Sequence, residues 1–240
     1  MWGWERMDNK QLPRRQLLQM LGISGLGYAL SGCVPASLTT KVGEWSEPLN
    51  QRVEELLLSA QPVPEFPVSA IEPSALLVNS YSDIPQLNPL TFRLAIEGEV
   101  NHPLQLSLQD FQQLPRTSMV IRHVCVEGWA AIVQWGGVRL NELARLVQPL
   151  PQVRYVYFLS ADGYYESWDL PSVLHPQTLL VDQKNGQPLP VENGAPLRLA
   201  SPIKLGYKQS KWVTRVIFTS KLARQRGYWE DLGYEWFAGL

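Results

Sequence analysis

One cysteine lies in the stretch of this chain that is richest in chemically reactive side chains. Cys125 follows Arg122 and His123 and precedes Glu127, in the run RHVCVEGW at residues 122–129. The sequence holds 2 cysteines, and the other, Cys33, lies near the N-terminus. A thiolate is both a nucleophile and a soft metal ligand, and cationic neighbours favour it over the thiol. Cys125 is therefore either a residue that only packs or the centre of the protein's chemistry.

Two kinds of chemistry are open to such a thiol. A cysteine hydrolase would need a general base, for which His123 and His175 are the candidates. A metal site would use the thiolate as a soft ligand instead. The sequence contains no serine-hydrolase elbow, zinc spacing, phosphate-binding loop or dinucleotide fingerprint. The local residues alone do not choose between the two.

A second group of polar residues lies closer to the C-terminus, in the runs NGAPLR at 193–198 and KLGYKQSKW at 204–212. Gly206 allows the backbone to approach a ligand, and Arg198, Lys204, Lys208 and Lys211 supply positive charge. This mixture suits an anionic group such as a phosphate, held by side-chain charge and backbone N–H groups together. The alternative is a solvated basic loop.

The N-terminal region has the pattern of an export signal. Arg14 and Arg15 precede an uncharged, mostly apolar run at 17–31, which is shorter than a standard membrane span. Paired arginines at this place are typical of the twin-arginine route. Leu30 to Cys33 resembles a lipoprotein box, in which the cysteine becomes the acylated first residue; the alternative is a chance cysteine. We expect a protein on the periplasmic or outer side of the membrane, held there by lipidated Cys33.

Composition predicts a globular protein with a sizeable core. The chain has 240 residues, of which 45% are hydrophobic and 18% charged, and its formal net charge of -1 argues against nucleic acid as a partner. We divide it into an export signal with lipobox (1–33), a proline-rich tether or wrapping arm (34–75), a catalytic domain (76–225) and a C-terminal tail (226–240). A short amphipathic segment at 51–60 lies within the arm.

The elements that position these residues are mostly strands. Asp162-Gly163 and Asn185-Gly186 predict tight turns between strands, and Ser107 with Asp110 has the spacing of a helix capping box. A helix is predicted over 138–147, with the apolar residues at 140, 143, 144 and 147 facing the core. The predicted fold class is α+β, mixed and rich in β. The strands are expected at 91–100, 154–160, 164–170, 179–183, 195–200 and 211–220.

The motifs in order resemble a known family. The run RHxCVEGW, followed by ADGYY, HP, NGxPLP, NGAPLRL and GYKxxKW, is similar to the oxidoreductase molybdopterin-binding domain, the fold of sulfite oxidases and of periplasmic methionine-sulfoxide reductases. The resemblance extends from about Asn79 to Phe218. It implies a sulfite oxidase-type fold and one molybdenum–molybdopterin cofactor per chain.

The resemblance also implies roles for individual residues. Cys125 occupies the position of the cysteine that ligates molybdenum in the family, and His123 is expected close to the pterin. Asn79-Ser80-Tyr81-Ser82-Asp83 is similar to a segment that touches the cofactor in the reductases, although residues 80, 82 and 83 depart from its pattern. The positions that correspond to cofactor-binding residues are Asn79, Ser82, Asp83, His123, Ser160, Asn193, Arg198, Gln209, Ser210 and Lys211.

Other residues are weaker candidates. Aromatic side chains could form the walls of a substrate funnel or pack in the core, and Arg139 and Arg154 could attract an oxyanion. The tail motif GYWE at 227–230 is expected to pack near the domain surface. The funnel candidates are Trp129, Trp135, Tyr164, Tyr165 and Trp168.

The expected activity is oxygen-atom transfer to or from a small sulfur or nitrogen oxo-compound, with sulfoxide reduction favoured over sulfite oxidation. A membrane haem protein or a cytochrome is the expected electron partner, because the sequence has no CxxCH haem motif. The competing hypothesis is a metal-free, non-catalytic surface lipoprotein of the same fold, which the altered residues 80, 82 and 83 would favour.

Overall fold

The computed structural model describes Val53 and residues 61–240, and residues 61–240 lie within one compact unit. The predicted export signal, the lipobox and nearly all of the amphipathic segment at 51–60 lie outside the described residues. Within the described part of the chain, no helix is both long and apolar enough to cross a bilayer.

Ten strands and three short α-helices make up the described fold. The strands are β1 (Arg93–Gly98), β2 (Leu104–Ser107), β3 (Arg116–Val124), β4 (Ala130–Arg139), β5 (Tyr155–Ser160), β6 (Tyr165–Asp169), β7 (Leu179–Lys184), β8 (Gln187–Pro188), β9 (Arg198–Ala200) and β10 (Val213–Thr219). The helices are α1 (Leu108–Gln112), α2 (Leu140–Val147) and α3 (Leu170–Leu174). The prediction of a β-rich α+β fold is confirmed.

The strands form two sheets. The first has the order β2-β1-β10-β5-β6, in which β1 and β10 are parallel and the other neighbours are antiparallel. The second has the order β3-β4-β7-β8, and β9 pairs with β7 outside this path. One apolar core packs mainly around the first sheet and α2, and a second around β3, β4 and β7. The two sheets hold the loops of the site at their ends.

Several local predictions are confirmed. Asp162-Gly163 lies in the turn between the antiparallel strands β5 and β6. Asn185 and Gly186 have φ angles of 52° and 73°, as a tight hairpin turn between β7 and β8 requires. The Ser107 hydroxyl caps α1, since it accepts a hydrogen bond from the Asp110 N–H at 3.1 Å.

The helix that was predicted over 138–147 begins at Leu140, two residues later than expected. Val138 and Arg139 pair with Leu180 and Leu179 of β7, so this part of the segment is strand. From residue 140 onward the prediction is confirmed, because the predicted core positions of α2 are buried.

The longest hairpin of the described fold was not predicted, although it carries Cys125. Strands β3 and β4 pair antiparallel in continuous register from Arg116–Val138 to Val124–Ala130. The described end of the arm runs along this hairpin, since the Phe66 N–H donates to the Val120 carbonyl at 2.9 Å. The hairpin therefore presents its five-residue loop, 125–129, at one end of the second sheet.

Candidate active site

A cavity of about 340 Å³ opens at the end of the β3–β4 hairpin. Its walls come from the 125–129 loop, the segment before β1, the residues around β9 and β10, and the C-terminal segment. The structure thus brings together groups that are up to about two thirds of the chain apart in sequence. Eight of the predicted site residues line it: Asn79, His123, Cys125, Asn193, Arg198, Gln209, Ser210 and Lys211.

The loop that carries Cys125 is a tight turn. The Cys125 N–H donates to the Trp129 carbonyl at 2.9 Å, and the Gly128 N–H donates to the Cys125 carbonyl at 3.1 Å. Gly128 has a φ angle of 89°, in the left-handed region that glycine adopts without steric cost. The turn therefore holds the partly exposed thiol at the cavity wall.

The Glu127 carboxylate is a hub beside the thiol. Its Oε2 atom accepts hydrogen bonds from Asn79 Nδ2 at 3.1 Å and from Trp129 Nε1 at 2.9 Å, and it lies 3.6 Å from Cys125 Sγ. Asn79 comes from the segment before β1, so this carboxylate ties that segment to the cysteine loop. Glu127 was not among the predicted site residues.

The prediction that cationic sequence neighbours favour the thiolate of Cys125 is wrong. Burial raises the pKa of the Cys125 thiol, and the nearby Glu127 carboxylate also raises it, whereas the N–H of Glu127 lowers it. The Arg122 guanidinium lies elsewhere, 5.1 Å from the centre of the Phe66 ring. The His123 imidazole is buried, and burial followed by the charge of Arg198 lowers its pKa to about 3. Neither sequence neighbour therefore supplies positive charge to the thiol at neutral pH.

The two candidate bases for a hydrolase are both engaged elsewhere. His123 Nδ1 lies 3.1 Å from Gln209 Oε1. His175 Nε2 lies 3.4 Å from the Gln61 carbonyl, and His175 is not part of the cavity lining. The hydrogen-bond partner of the thiol is the Glu127 carboxylate. This geometry does not favour a cysteine hydrolase.

Arg198 is a buried cation within the cavity wall. Its guanidinium donates to the carbonyls of Leu199 at 3.1 Å, Asn193 at 3.0 Å and Gln209 at 3.5 Å, and it lies 4.7 Å from the centre of the Trp135 ring. Burial lowers its pKa to about 9. Its hydrogen-bond partners are thus neutral groups.

Lys211 adds a second cation to the same wall. Its Nζ donates to the carbonyls of Asn79 and Glu192, the latter at 3.1 Å. Burial, followed by the charge of Arg198, lowers its pKa to about 8. Across residues 61–240, no carboxylate forms an ion pair within 4.0 Å of Arg198 or Lys211. Arg198 is buried and Lys211 is partly exposed. A buried charge without a partner is costly, so this wall is suited to an anion.

Gly194 lets the two cations approach each other. Its φ angle is 113°, and a Cβ at this position would lie 2.9 Å from the Lys211 Cβ and 3.0 Å from the Arg198 Cβ. A side chain here would therefore be strained by the backbone and crowded by both cationic residues.

The cavity fits the cofactor that the resemblance implies. The buried Ser210 hydroxyl has no hydrogen-bond partner in the described part of the chain and can serve a phosphate beside Arg198 and Lys211. Cys125 offers a soft ligand in the same cavity. In residues 61–240 no group of three or more His, Cys, Asp and Glu side chains could hold a metal by themselves, and the resemblance requires only one such ligand from the protein.

Three predicted site residues do not line the cavity. The Ser82 hydroxyl donates to the Asp162 carbonyl at 3.0 Å, and Asp83 is exposed. Ser160 ends β5, and its buried hydroxyl has no hydrogen-bond partner within residues 61–240. Asp162, which follows it closely, does line the cavity. That Ser82, Asp83 and Ser160 contact the cofactor therefore stays a prediction.

The weaker candidates divide between cavity and core. Trp129 and Tyr164 line the cavity, whereas Trp135 and Trp168 are core residues that are 0% and 1% exposed. The Tyr165 hydroxyl donates to Asp231, outside the cavity lining. Arg139 and Arg154 are exposed away from the cavity.

The C-terminal segment contributes more than the expected surface packing. Tyr228, Trp229 and Tyr234 line the cavity, together with Tyr81 and Tyr207. The signal in the sequence was the aromatic motif GYWE, but only the tertiary structure places it over the site.

Comparison with known proteins agrees with this geometry. Residues 81–229 match the family described as oxidoreductase molybdopterin binding domain. The relative named "Putative protein-methionine-sulfoxide reductase subunit YedZ1", from Azospira oryzae, is 39% identical over 181 residues, which are 75% of this chain and 68% of that protein. The protein-methionine-sulfoxide reductase catalytic subunit MsrP of Xanthomonas axonopodis pv. citri is 31% identical over 246 residues, covering 91% of this chain and 73% of the relative.

A solved structure has the same fold. The sulfane dehydrogenase SoxCD from Paracoccus pantotrophus superimposes with a TM-score of 0.59 and 23% sequence identity, over 69% of this chain and 50% of that one. At this identity the likeness concerns the fold alone. Taken with the matched residues 81–229, it leads to one assignment: the chain is an enzyme of the oxidoreductase molybdopterin binding domain family, with the sulfite oxidase-type fold.

Proposed function

We propose that this protein is the catalytic subunit of an exported, molybdenum-dependent sulfoxide reductase with one molybdenum–molybdopterin cofactor per chain. The observation that carries the proposal is that Cys125 shares one cavity with Arg198 and Lys211, two cations that lack a carboxylate partner within residues 61–240. The names of the relatives from Azospira oryzae and Xanthomonas axonopodis support a sulfoxide as the substrate.

The cavity residues would divide the work of holding the cofactor. Cys125 would ligate the metal as a thiolate, which requires loss of the thiol proton. Arg198, Lys211 and Ser210 would hold the terminal phosphate. The other four lining residues of the predicted set would make further contacts with the cofactor: Asn79, His123, Asn193 and Gln209. When bound, the cofactor supplies two-electron oxygen-atom transfer, and the protein supplies position and electrostatics.

The net reaction defines what else the site must provide. A sulfoxide takes up two electrons and two protons, its sulfur–oxygen bond breaks, and a sulfide and one water result. We propose that the electrons come from a membrane haem protein or a cytochrome. Protons must reach the oxygen that leaves, and the Glu127 carboxylate is fixed beside the thiol by Asn79 and Trp129. We therefore propose that the Glu127 carboxyl group can hold such a proton.

Sulfite oxidation has no separate support in the cavity. Its sequence signal was the run Ser210-Lys211-Trp212. Trp212 is 0% exposed, its Nε1 donates to the Val191 carbonyl at 2.8 Å, and it is not part of the cavity lining. The tryptophan of this run thus has a packing role.

The proposed location rests on the N-terminal sequence alone. The arginine pair at 14–15, the apolar run at 17–31 and Cys33 favour export and lipid attachment. Labelling of cells with a radioactive fatty acid tests this, because the wild type should incorporate label and Cys33→Ser should not. Equal labelling of both proteins would contradict lipidation at Cys33.

The catalytic proposal is tested on the purified, exported protein. We expect about one molybdenum per chain and reduction of methionine sulfoxide with a reduced viologen dye as electron donor. Cys125→Ala should lose metal and lower turnover by at least ~100-fold, the loss that even indirect disturbance of a metal ligand produces. Ser118→Ala, an exposed change within the same hairpin, is the matched control. Full turnover in Cys125→Ala, or wild-type protein without molybdenum, would refute the proposal.

A further inference from the structure

The C-terminal side of the cavity, which we call its entrance, is lined by aromatic rings, whereas the wall around Arg198 and Lys211 is cationic. Five aromatic rings there form a continuous series. The distances between neighbouring ring centroids are 5.6 Å for Tyr207 and Tyr234, 5.0 Å for Tyr234 and Trp229, 5.2 Å for Trp229 and Tyr228, and 4.5 Å for Tyr228 and Tyr81. All five line the cavity. Three of them belong to the C-terminal segment, which we define as residues 227–240.

Part of this aromatic series is open to solvent. Trp229 is 36% exposed, Tyr234 41% and Tyr81 47%. Exposed large apolar side chains that rim a concave site mark a surface that binds a ligand. Aromatic rings also make favourable contacts with sulfur and with other apolar groups. The entrance is therefore suited to an apolar substituent next to the reacting group.

The C-terminal segment is fixed by buried charge. Lys208 Nζ donates to Glu166 at 2.6 Å and to Glu230 at 2.5 Å, and the three side chains are 0–1% exposed. Lys208 belongs to the turn Gly206–Lys208, directly before the cofactor-facing residues 209–211. Glu230 belongs to the aromatic motif at 227–230. One buried ion cluster thus joins the cofactor loop to the entrance wall.

Further contacts reinforce this connection. Lys204 Nζ donates to the Phe237 carbonyl at 2.6 Å, and the Tyr207 hydroxyl donates to the Glu235 carbonyl at 2.6 Å. At Gly227 a Cβ would lie 2.0 Å from a Glu230 carboxylate oxygen, so the chain enters the segment directly against the ion cluster. The aromatic rings are consequently held in one position relative to the cofactor loop.

We propose that the C-terminal segment is the specificity wall of the site: Trp229 and Tyr234 select sulfoxides that carry an apolar or aromatic substituent, and Glu230, through Lys208, is the positioning residue that holds them. This inference rests on the proposed sulfoxide reductase function and names the substrate class. It assigns to the tail a role in substrate choice that is separate from holding the cofactor.

The test compares two substrates of different size on the holoenzyme. The measured quantity is the ratio of kcat/KM for methyl phenyl sulfoxide to kcat/KM for dimethyl sulfoxide, with a viologen dye as electron donor. Trp229→Ala and Tyr234→Ala should each lower this ratio about tenfold, mainly by raising KM for the aryl substrate, since one apolar contact contributes on that order. Leu232→Ala is the matched control, because Leu232 is 61% exposed in the same segment but does not line the cavity.

Glu230→Gln tests the positioning role with almost no change of shape. It should lower the same ratio while the molybdenum content stays at the wild-type value. A loss of cofactor with equal falls for both substrates would mean that the ion cluster is only structural, and would overturn the positioning role.

Binding provides a readout that is independent of turnover. Calorimetric titration of the oxidised holoenzyme with methyl phenyl sulfoxide should give about tenfold weaker binding for Trp229→Ala than for Leu232→Ala. If the wild type reduces no sulfoxide but Trp229→Ala still binds this compound about tenfold more weakly than Leu232→Ala, the proposed function fails and the apolar binding role of the segment stands. If the wild type reduces both substrates and the aromatic variants keep its ratio, the specificity wall fails and the function stands. A wild type that neither binds nor reduces sulfoxides overturns both.

Discussion

Lys208 and Lys211 are the same residue type three positions apart, but their surroundings differ in charge. Lys208 is fully buried between the carboxylates of Glu166 and Glu230. Lys211 donates to two backbone carbonyls and faces Arg198 across the cavity wall. The first lysine forms ion pairs with two buried carboxylates, whereas the second forms no ion pair within 4.0 Å in residues 61–240.

The difference separates structural cations from ligand-binding ones. A buried cation paired with carboxylates is balanced and holds elements together, as Lys208 does for the C-terminal segment. A cation whose pKa is lowered by full or partial burial and that has no ion-pair partner destabilises the empty site, and an arriving anion relieves that cost. Lys211 and Arg198 are of this second kind, with pKa values lowered to about 8 and about 9. Counting positive residues in the sequence would have treated all of them alike.

The largest expected effect is on folding, from Lys208→Met. The change leaves Glu166 and Glu230 buried without their cation, and we expect the free energy of unfolding to fall by about 3 kcal/mol. Burial already raises the pKa of Glu166 well above its usual range, so protonation of that carboxyl absorbs part of the cost. Urea unfolding measures the effect, with Lys221→Met as an exposed control. An unchanged free energy of unfolding would contradict the assignment of Lys208 as a structural cation.

Lys211→Met should weaken cofactor binding and leave stability nearly unchanged, in contrast to Lys208→Met. The free energy of unfolding of the cofactor-free protein should change by less than about 1 kcal/mol, because a poorly solvated charge is removed. Retention of the molybdenum cofactor should weaken roughly 10- to 100-fold, as expected for the loss of a hydrogen bond between charged groups. Molybdenum content after dialysis, together with urea unfolding, measures both quantities. Stability loss without cofactor loss would make Lys211 a structural cation like Lys208.

The smallest effect is a pH dependence of anion binding. Burial lowers the pKa of Lys211 in the folded protein to about 8 from its usual value of 10.5, so the ammonium loses its proton between pH 7 and 9. The affinity of the cofactor-free protein for sulfate, whose own charge is constant in this range, should therefore fall up to ~10-fold. The groups that act on this lysine are Arg198, Asp162 and Glu192.

Lys211→Met separates the contribution of this lysine to the pH dependence. In that variant the fall in sulfate affinity should be smaller, since the titrating Lys211 ammonium is absent. An affinity that rises with pH in the wild type would contradict the assignment of Lys211 to the anion site.

Much of the local structure could be predicted from sequence because its causes are local. The turns at Asp162-Gly163 and Asn185-Gly186 and the cap at Ser107 depend on the conformational preferences of a few adjacent residues. The hairpin of β3 and β4 escaped prediction. Its five-residue loop at 125–129 lacks the Asn-Gly or Asp-Gly pair that marks the other two hairpins, and strand formation depends on cross-strand contacts that the sequence does not state.

The electrostatics of the site could not be predicted from neighbours in sequence. Arg122 and His123 were expected to keep Cys125 as a thiolate, but the first lies over Phe66 and the second is buried and neutral. Solvent exposure and distance fix the charge that a thiol experiences, and neither is encoded by adjacency along the chain.

The sequence by itself determined the single thiol of the catalytic region, the ordered motifs of the family and the groups that can bind a phosphate. Only the tertiary structure decided which cations are neutralised and which are left for a ligand. It also placed Tyr228, Trp229 and Tyr234, more than a hundred residues after Cys125, at the entrance of the same cavity. The physical reason is that burial and charge pairing depend on distances in space, which the two sheets and the C-terminal segment set only when they pack together.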